Sequence, residues 1–148
     1  MPGLVPGIRG YAPNTQKGVA DGRDEPGHDG VRELDRREKQ MIYELRIYHT
    51  LPGRLPALLK RFDEITLKIW ARHGIKQAGF WTTLVGDSNQ DLTYMLQWES
   101  LAEREKKWDA FQADPEWIAK RAETEKDGPI NARVENSFLT PTSFSSVK

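Results

Sequence analysis

The order in which two hydrophobic periods alternate limits the fold of this chain more than any other feature. Met41–Thr50 sets Tyr43, Leu45 and Ile47 against Glu44, Arg46 and Tyr48, the two-residue period of a strand. Leu51-Pro52-Gly53 follows as a turn. From Arg54 to His73 apolar groups recur at Leu55, Leu58, Leu59, Phe62, Ile65, Ile69 and Trp70, which predicts an amphipathic helix with Pro56 tolerated in its first turn. Gly74 stands where a helix-ending left-handed residue belongs. Ile75–Val85 reads as a second strand, Gly86-Asp87-Ser88-Asn89 as a hairpin loop, and Asp91–Glu99 as a third strand alternating Leu92, Tyr94, Leu96 and Trp98 with polar neighbours. Ser100 and Glu103 make a capping box for a helix with Leu101, Trp108 and Phe111 inward. Asp114-Pro115 caps and restarts helix, with Trp117, Ile118 and Ala122 inward. Gly128-Pro129 ends it, and Ile130–Thr140 is a fourth strand.

The resulting order, βαββαβ, is the split βαβ or ferredoxin-like arrangement: an α+β domain whose antiparallel sheet carries its helices on one face. The other face is left bare. The alternation predicts Glu44, Arg46 and Tyr48 on that bare side, with Arg133 and Glu135 of the fourth strand beside them, so opposite charges can pair across strands. A second copy packed sheet to sheet would cover the face, which predicts a two-fold homodimer with a partly polar seam. A half-wet sheet in a monomer is the alternative.

Composition places the start of the domain near Met41. Residues 1–40 hold seven of the twelve glycines and four of the nine prolines, whereas all five Trp and all five Phe lie beyond Met41. A segment so poor in large apolar groups cannot offset its chain entropy by burial, so residues 1–40 are expected to be a disordered extension ahead of a domain spanning 41–146. Reverse-complementing plausible codons for Asp21-Gly22-Arg23-Asp24-Glu25-Pro26-Gly27-His28 regenerates seven of the eight residues of Met1-Pro2-Gly3-Leu4-Val5-Pro6-Gly7-Ile8. That agreement suggests a translated inverted repeat and a mis-annotated start, with Met41 the native first residue; an ordinary flexible tail is the alternative. An intact mass of native protein that includes residues 1–40 would overturn it.

The 22 basic and 22 acidic side chains cancel overall and within each part, so bulk charge offers nothing to nucleic acid or an anionic membrane. The absence of cysteine removes disulfides, thiolate catalysis and thiolate metal sites, and fits a reducing, cytoplasmic setting. No apolar run approaches the roughly 20 residues of a membrane span.

Tyr43-Glu44-Leu45-Arg46-Ile47-Tyr48 with Leu51-Pro52-Gly53-Arg54-Leu55 resembles the opening of NIPSNAP domains. Gly79-Phe80-Trp81-Thr82-Thr83 with Gly86 and Asn89-Gln90, Trp98-Glu99-Ser100-Leu101-Ala102-Glu103-Arg104, Asp114-Pro115-Glu116-Trp117 and the closing Leu139-Thr140-Pro141-Thr142-Ser143-Phe144-Ser145 are similar to further blocks, in family order. Glu99 stands where an aromatic residue is common, and Ser143 where Pro is often seen. The resemblance implies a dimeric α+β barrel, in a superfamily that also holds small monooxygenases, haem-degrading enzymes and stress-response proteins. It implies no reaction, because fold alone is a poor guide to function.

Barrel proteins of this kind hold ligands between sheet and helices, which directs attention to polar groups that can converge there. His73 reads either as a general base or axial haem ligand, or as a helix-end imidazole favoured by the helix dipole. His49, beside the first turn, carries the same ambiguity. Arg46 can clamp a carboxylate and Glu44 can accept a proton, or the two can form a structural ion pair at the dimer seam. Tyr48 and Tyr94 are donors to a carbonyl or oxyanion, or core groups with a wet hydroxyl. Trp70, Trp81, Trp98, Trp108 and Trp117, with Tyr94, either line a pocket for a planar ligand or fill the core. Two in-domain histidines do not make a metal set, and no metal or other cofactor is expected. Two functions remain open. One is a binding module for a small hydrophobic ligand or a protein partner. The other is a cofactor-independent enzyme, monooxygenase-like or isomerase-like, acting on an aromatic or carbonyl substrate through Tyr48, His73 and Arg46. A haem protein, the third reading, would be excluded by the lack of a Soret band.

Overall fold

A computed structural model describes residues 40–148, so the expectations for residues 1–39 lie outside the described residues. The elements follow the predicted order. Strand β1 (Ile42–Thr50) leads into α1 (Leu55–Arg61), a π-helical turn (Phe62–Thr66) and α2 (Leu67–His73). Strands β2 (Lys76–Thr82) and β3 (Asp91–Trp98) form the hairpin, helices α3 (Leu101–Gln112) and α4 (Pro115–Thr124) follow, and β4 (Asn131–Leu139) closes the sheet. All pairings are antiparallel in the order β2-β3-β1-β4, which is the ferredoxin-like α+β arrangement. None of the described helices is long and apolar enough to cross a membrane.

The local signals act as their chemistry requires. Gly74 ends α2 at φ 68°, a left-handed conformation that costs glycine nothing. The Ser100 hydroxyl accepts from the Glu103 backbone N–H, and the Asp114 carboxylate accepts from the N–H groups of Glu116 and Trp117. Leu58, Ile69, Trp70, Leu92, Tyr94, Leu96, Trp98 and Phe111 form the core between sheet and helices. Its rings meet mostly edge to face, while Phe80 and Tyr94 stack at 4.8 Å between centroids.

Four expectations need correction. The first helix is interrupted where the chain widens into the π-helical turn, with the Thr66 hydroxyl donating to the Arg61 carbonyl at 3.3 Å. The second strand stops at Thr82, leaving Leu84 and Val85 almost fully exposed in the loop. Leu101, Ile118 and Ala122, expected inward, are exposed, because α3 and α4 bury little beyond Trp108, Phe111 and Trp117. The largest correction concerns β1. Glu44, Arg46 and Tyr48 face the helices rather than the bare side: Glu44 binds Arg104 of α3, and Tyr48 packs on Phe62. Strand alternation then puts Tyr43, Leu45, Ile47 and His49 on the open face, with Met95 of β3 beside Leu45. Arg133 and Glu135 do lie on the open face, but they pair with each other and with His49 rather than with Glu44 or Arg46.

Candidate functional site

The site begins with a carboxylate that has no contact with water. Glu44 is fully buried and accepts five hydrogen bonds: from Arg46 Nη1 (2.7 Å), Arg104 Nη2 (3.0 Å) and Nε (3.1 Å), Trp98 Nε1 (3.0 Å) and Asn136 Nδ2 (3.2 Å). Burial alone would raise its pKa, but Arg104, Arg46 and Asn136 outweigh burial and hold it below the usual 4.5. Two guanidiniums on one carboxylate leave a positive charge, and both cations lie over the Trp108 ring, at 4.6 Å for Arg46 and 5.0 Å for Arg104. The other two Arg46 nitrogens each donate as well, Nε to the Tyr94 hydroxyl at 2.8 Å and Nη2 to that of Tyr48 at 3.4 Å. Burial pushes the Tyr94 phenol well above its ordinary pKa, so it stays protonated.

This cluster forms one wall of a cleft of about 290 Å³ between the sheet and the helices. The sheet contributes Arg46, Tyr48, Asn131 and Val134; the helices contribute Arg61, Trp108, Gln112, Trp117 and Arg121. Arg61 is 4% exposed. Its Nη1 donates to Thr124 Oγ1 (3.4 Å) and Glu125 Oε1 (3.2 Å), and its guanidinium lies 5.6 Å from the centroid of Trp117. Two enclosed polar atoms of the cleft residues, Arg61 Nε and Asn131 Oδ1, have no hydrogen-bond partner among the described residues. Such atoms cost about 1–3 kcal/mol each when left unpaired. A larger trough of about 680 Å³ between α1 and α4 shares Arg61, but its other charges, Arg54, Lys60, Lys68, Lys120 and Lys126 with Glu64, Glu116, Glu123 and Asp127, are mixed in sign and, Arg54 apart, exposed.

The sequence candidates divide accordingly. Arg46 and Tyr48 line the cleft. Tyr94 and Trp98 are buried behind it as partners of Arg46 and Glu44. Trp70 lies in the core, its indole N–H without a partner among the described residues. Trp81 is half exposed on the open face, its indole lying across Gly79, where an added Cβ would come within 2.5 Å of it. His49 joins Asp91 and Glu135 at 2.9 and 3.1 Å on the open face. Among the described residues no three His, Asp or Glu come together as a metal would need.

His73 is a brace between helices. Its Nε2 lies 2.7 Å from Asp114 Oδ2, which also accepts from Arg72, joining the end of α2 to the cap of α4. His73, together with the backbone N–H groups of Glu116 and Trp117 and with Arg72, lowers the Asp114 pKa to about 2, against a weaker opposing effect of burial. A depressed carboxylate pKa contributes stability that is present above the usual 3.8 and lost as pH falls through about 2. Asp114→Asn keeps a cap acceptor but not the charge, so its urea midpoint should fall less than the wild type's between pH 5 and pH 2.5. Equal slopes for the two proteins would show that the pair contributes nothing.

Sequence reasoning missed Arg61, Arg121 and Asn131. The usable signal was Arg61 itself, three residues after Leu58 and next to Phe62, where helical spacing puts a cation on the buried stripe.

A ferredoxin-like sheet with an arginine-lined cleft between it and its helices defines a small α+β protein. Residues 43–146 match the NIPSNAP family model, and the chain belongs to the NIPSNAP family. It is 25% identical to a NIPSNAP family protein of unknown function from Agrobacterium tumefaciens, covering 74% of this chain and 96% of that one at a TM-score of 0.66. A second NIPSNAP family protein from that organism is 27% identical over 73% of this chain and 99% of its own, also at 0.66. An uncharacterized NIPSNAP-like domain protein from Burkholderia xenovorans is 26% identical over 72% and 90%, at 0.65. No curated protein matches the chain.

Proposed function

We propose that this protein is a homodimeric, cytoplasmic binding module that holds one small flat ligand per subunit in the cleft between sheet and helices, and that it catalyses no reaction. The observation that carries the reading is the pair of enclosed, unpartnered polar atoms on Arg61 and Asn131, in a cleft that also presents Trp108 and Trp117. The ligand is therefore amphipathic rather than purely hydrophobic. The residues lining the cleft include no His, Asp or Glu, and Glu44 behind it is held ionised by five donors, so a general base is lacking. The enzyme alternative would rest on Tyr48 with Arg46 as an oxyanion-binding pair, His73 being tied to Asp114.

Native mass spectrometry of the full chain purified from its own host is expected to show a non-covalent small-molecule mass on the protein. That mass should persist in His73→Ala and disappear in Val134→Trp, which fills the cleft. A wild-type protein without added mass, or a Val134→Trp variant that keeps it, sinks the reading. Conversion of the retained molecule that stops in Tyr48→Phe would favour the enzyme.

A further inference from the structure

We propose that the ligand is a small aromatic carboxylate, anchored by the side edge of the Arg61 guanidinium. This rests on the binding-module reading and adds the chemical class of the occupant.

Charge is the first ground. Around the cleft, four guanidiniums, those of Arg46, Arg104, Arg61 and Arg121, meet two carboxylates, Glu44 and Glu125, which leaves a charge of +2. Glu44 is already shared by two cations, and Glu125 by Arg61 and the half-exposed Arg121. A buried cation without a full partner favours an anion beside it.

Geometry narrows the anion. All three nitrogens of the Arg46 guanidinium already donate to protein oxygens, which commits it mainly to supporting the wall and leaves one further N–H on each Nη. Arg61 differs. Only its Nη1 is engaged, while Nε and the neighbouring Nη2 make no hydrogen bond among the described residues. That Nε–Nη2 edge is a planar two-donor fork, which fits the two oxygens of a carboxylate with parallel hydrogen bonds once the side chains enclosing Nε part to admit it. The aromatic part follows from the walls. Trp108 and Trp117, each with an arginine held by cation–π contact, both line the cleft and give it aromatic surface suited to a flat body. Asn131, with its unpartnered amide oxygen, supplies a second polar contact, suited to a ring hydroxyl.

The π-helical turn gives the site its local cause. Arg61 is the last residue before the turn, and the Thr66 hydroxyl caps its carbonyl. The widened turn lets Arg61 and Phe62 both lie buried, one toward Trp117 and the other toward Tyr94. Single π turns inside α-helices recur at functional sites.

The test is calorimetric titration of the full chain with 4-hydroxybenzoate and with its neutral counterpart, 4-hydroxybenzamide. The carboxylate should bind about tenfold or more tightly than the amide, as a charge-assisted fork requires. Arg61→Met should erase that preference, and Arg61→Lys, which keeps the charge but not the fork, should retain only part of it. Equal affinity for the two probes in the wild type, or a preference that survives Arg61→Met, overturns the assignment while leaving a neutral-ligand module standing. If neither probe binds, the carboxylate assignment also fails, and the retained mass on native protein then judges the broader reading separately. Should Arg61→Met lose its folded circular-dichroism spectrum, the wild-type preference and the Lys variant decide.

Discussion

Glu44→Ala is expected to be the most damaging single change in the described domain, lowering unfolding free energy by about 3–5 kcal/mol. The loss does not come from deleting attractive contacts one at a time. It comes from what remains: two guanidiniums, the Trp98 indole N–H and the Asn136 amide, all facing a cavity with no acceptor. Urea unfolding measures the effect directly, and a loss under about 1 kcal/mol would mean that water or a shifted backbone replaces the carboxylate. The pair terms are strongly coupled, so the Arg104→Ala and Glu44→Ala costs should not add; the double variant should lie close to the worse single one. The pH dependence has a definite sign. The folded-state pKa of Glu44 is depressed, so its contribution is complete above about the usual 4.5 and is lost as pH falls below that. Glu44→Gln should flatten this part of the acid limb while costing stability at neutral pH. The same change bears on function, because Glu44 is one of the groups that hold Arg46 in the cleft wall.

The order of elements was legible in the sequence because it depends on local periods and on caps that act within four residues, as at Gly74, Ser100 and Asp114. The orientation of β1 was not. Glu44, Arg46 and Tyr48 look like the wet side of a strand until their partners are known. Those partners, Trp98, Arg104 and Asn136, stand 54, 60 and 92 residues away from Glu44. Polarity predicts exposure only for groups without partners, and partners of this kind are supplied by tertiary structure. The cleft was hidden for the same reason. It joins Arg46, Arg61, Arg121 and Asn131 from four separate elements, and a helical period that runs unbroken through Phe62 gives no warning of the π turn. The aromatic candidates were ambiguous for a different reason, since Trp70 and Trp98 are needed to fill the core and size alone cannot separate filler from ligand wall.

The corrected orientation changes the dimer that the fold invites. The seam expected from charge alternation is instead an apolar strip: Leu45 and Ile47 from the central strand, Met95 beside Leu45, and the half-exposed Trp81. At one end lie His49, Asp91, Arg133 and Glu135, polar and mutually paired; at the other, the Tyr43 hydroxyl donates to the Lys148 carbonyl and ties the C-terminal segment across the face. Such a strip with a polar border suits a two-fold contact in which the same patch meets itself. Leu45→Asp should therefore convert a dimer to a monomer. The cross-strand neighbours of Leu45 are Met95 and Ser137, so the new carboxylate meets no like charge within its own sheet, and the damage falls mainly on the interface. Symmetry applies the change twice. Losing two buried leucine side chains costs about 3–6 kcal/mol, or roughly a hundred- to ten-thousandfold in dissociation constant, before the cost of burying two carboxylates. Sedimentation equilibrium at matched concentrations reads the outcome, with Arg133→Ala at the border as a comparison expected to change it by less than about tenfold. A Leu45→Asp protein that remains a dimer with an unchanged constant would move the contact off this face. A wild-type protein that is monomeric throughout would leave the strip to another occupant.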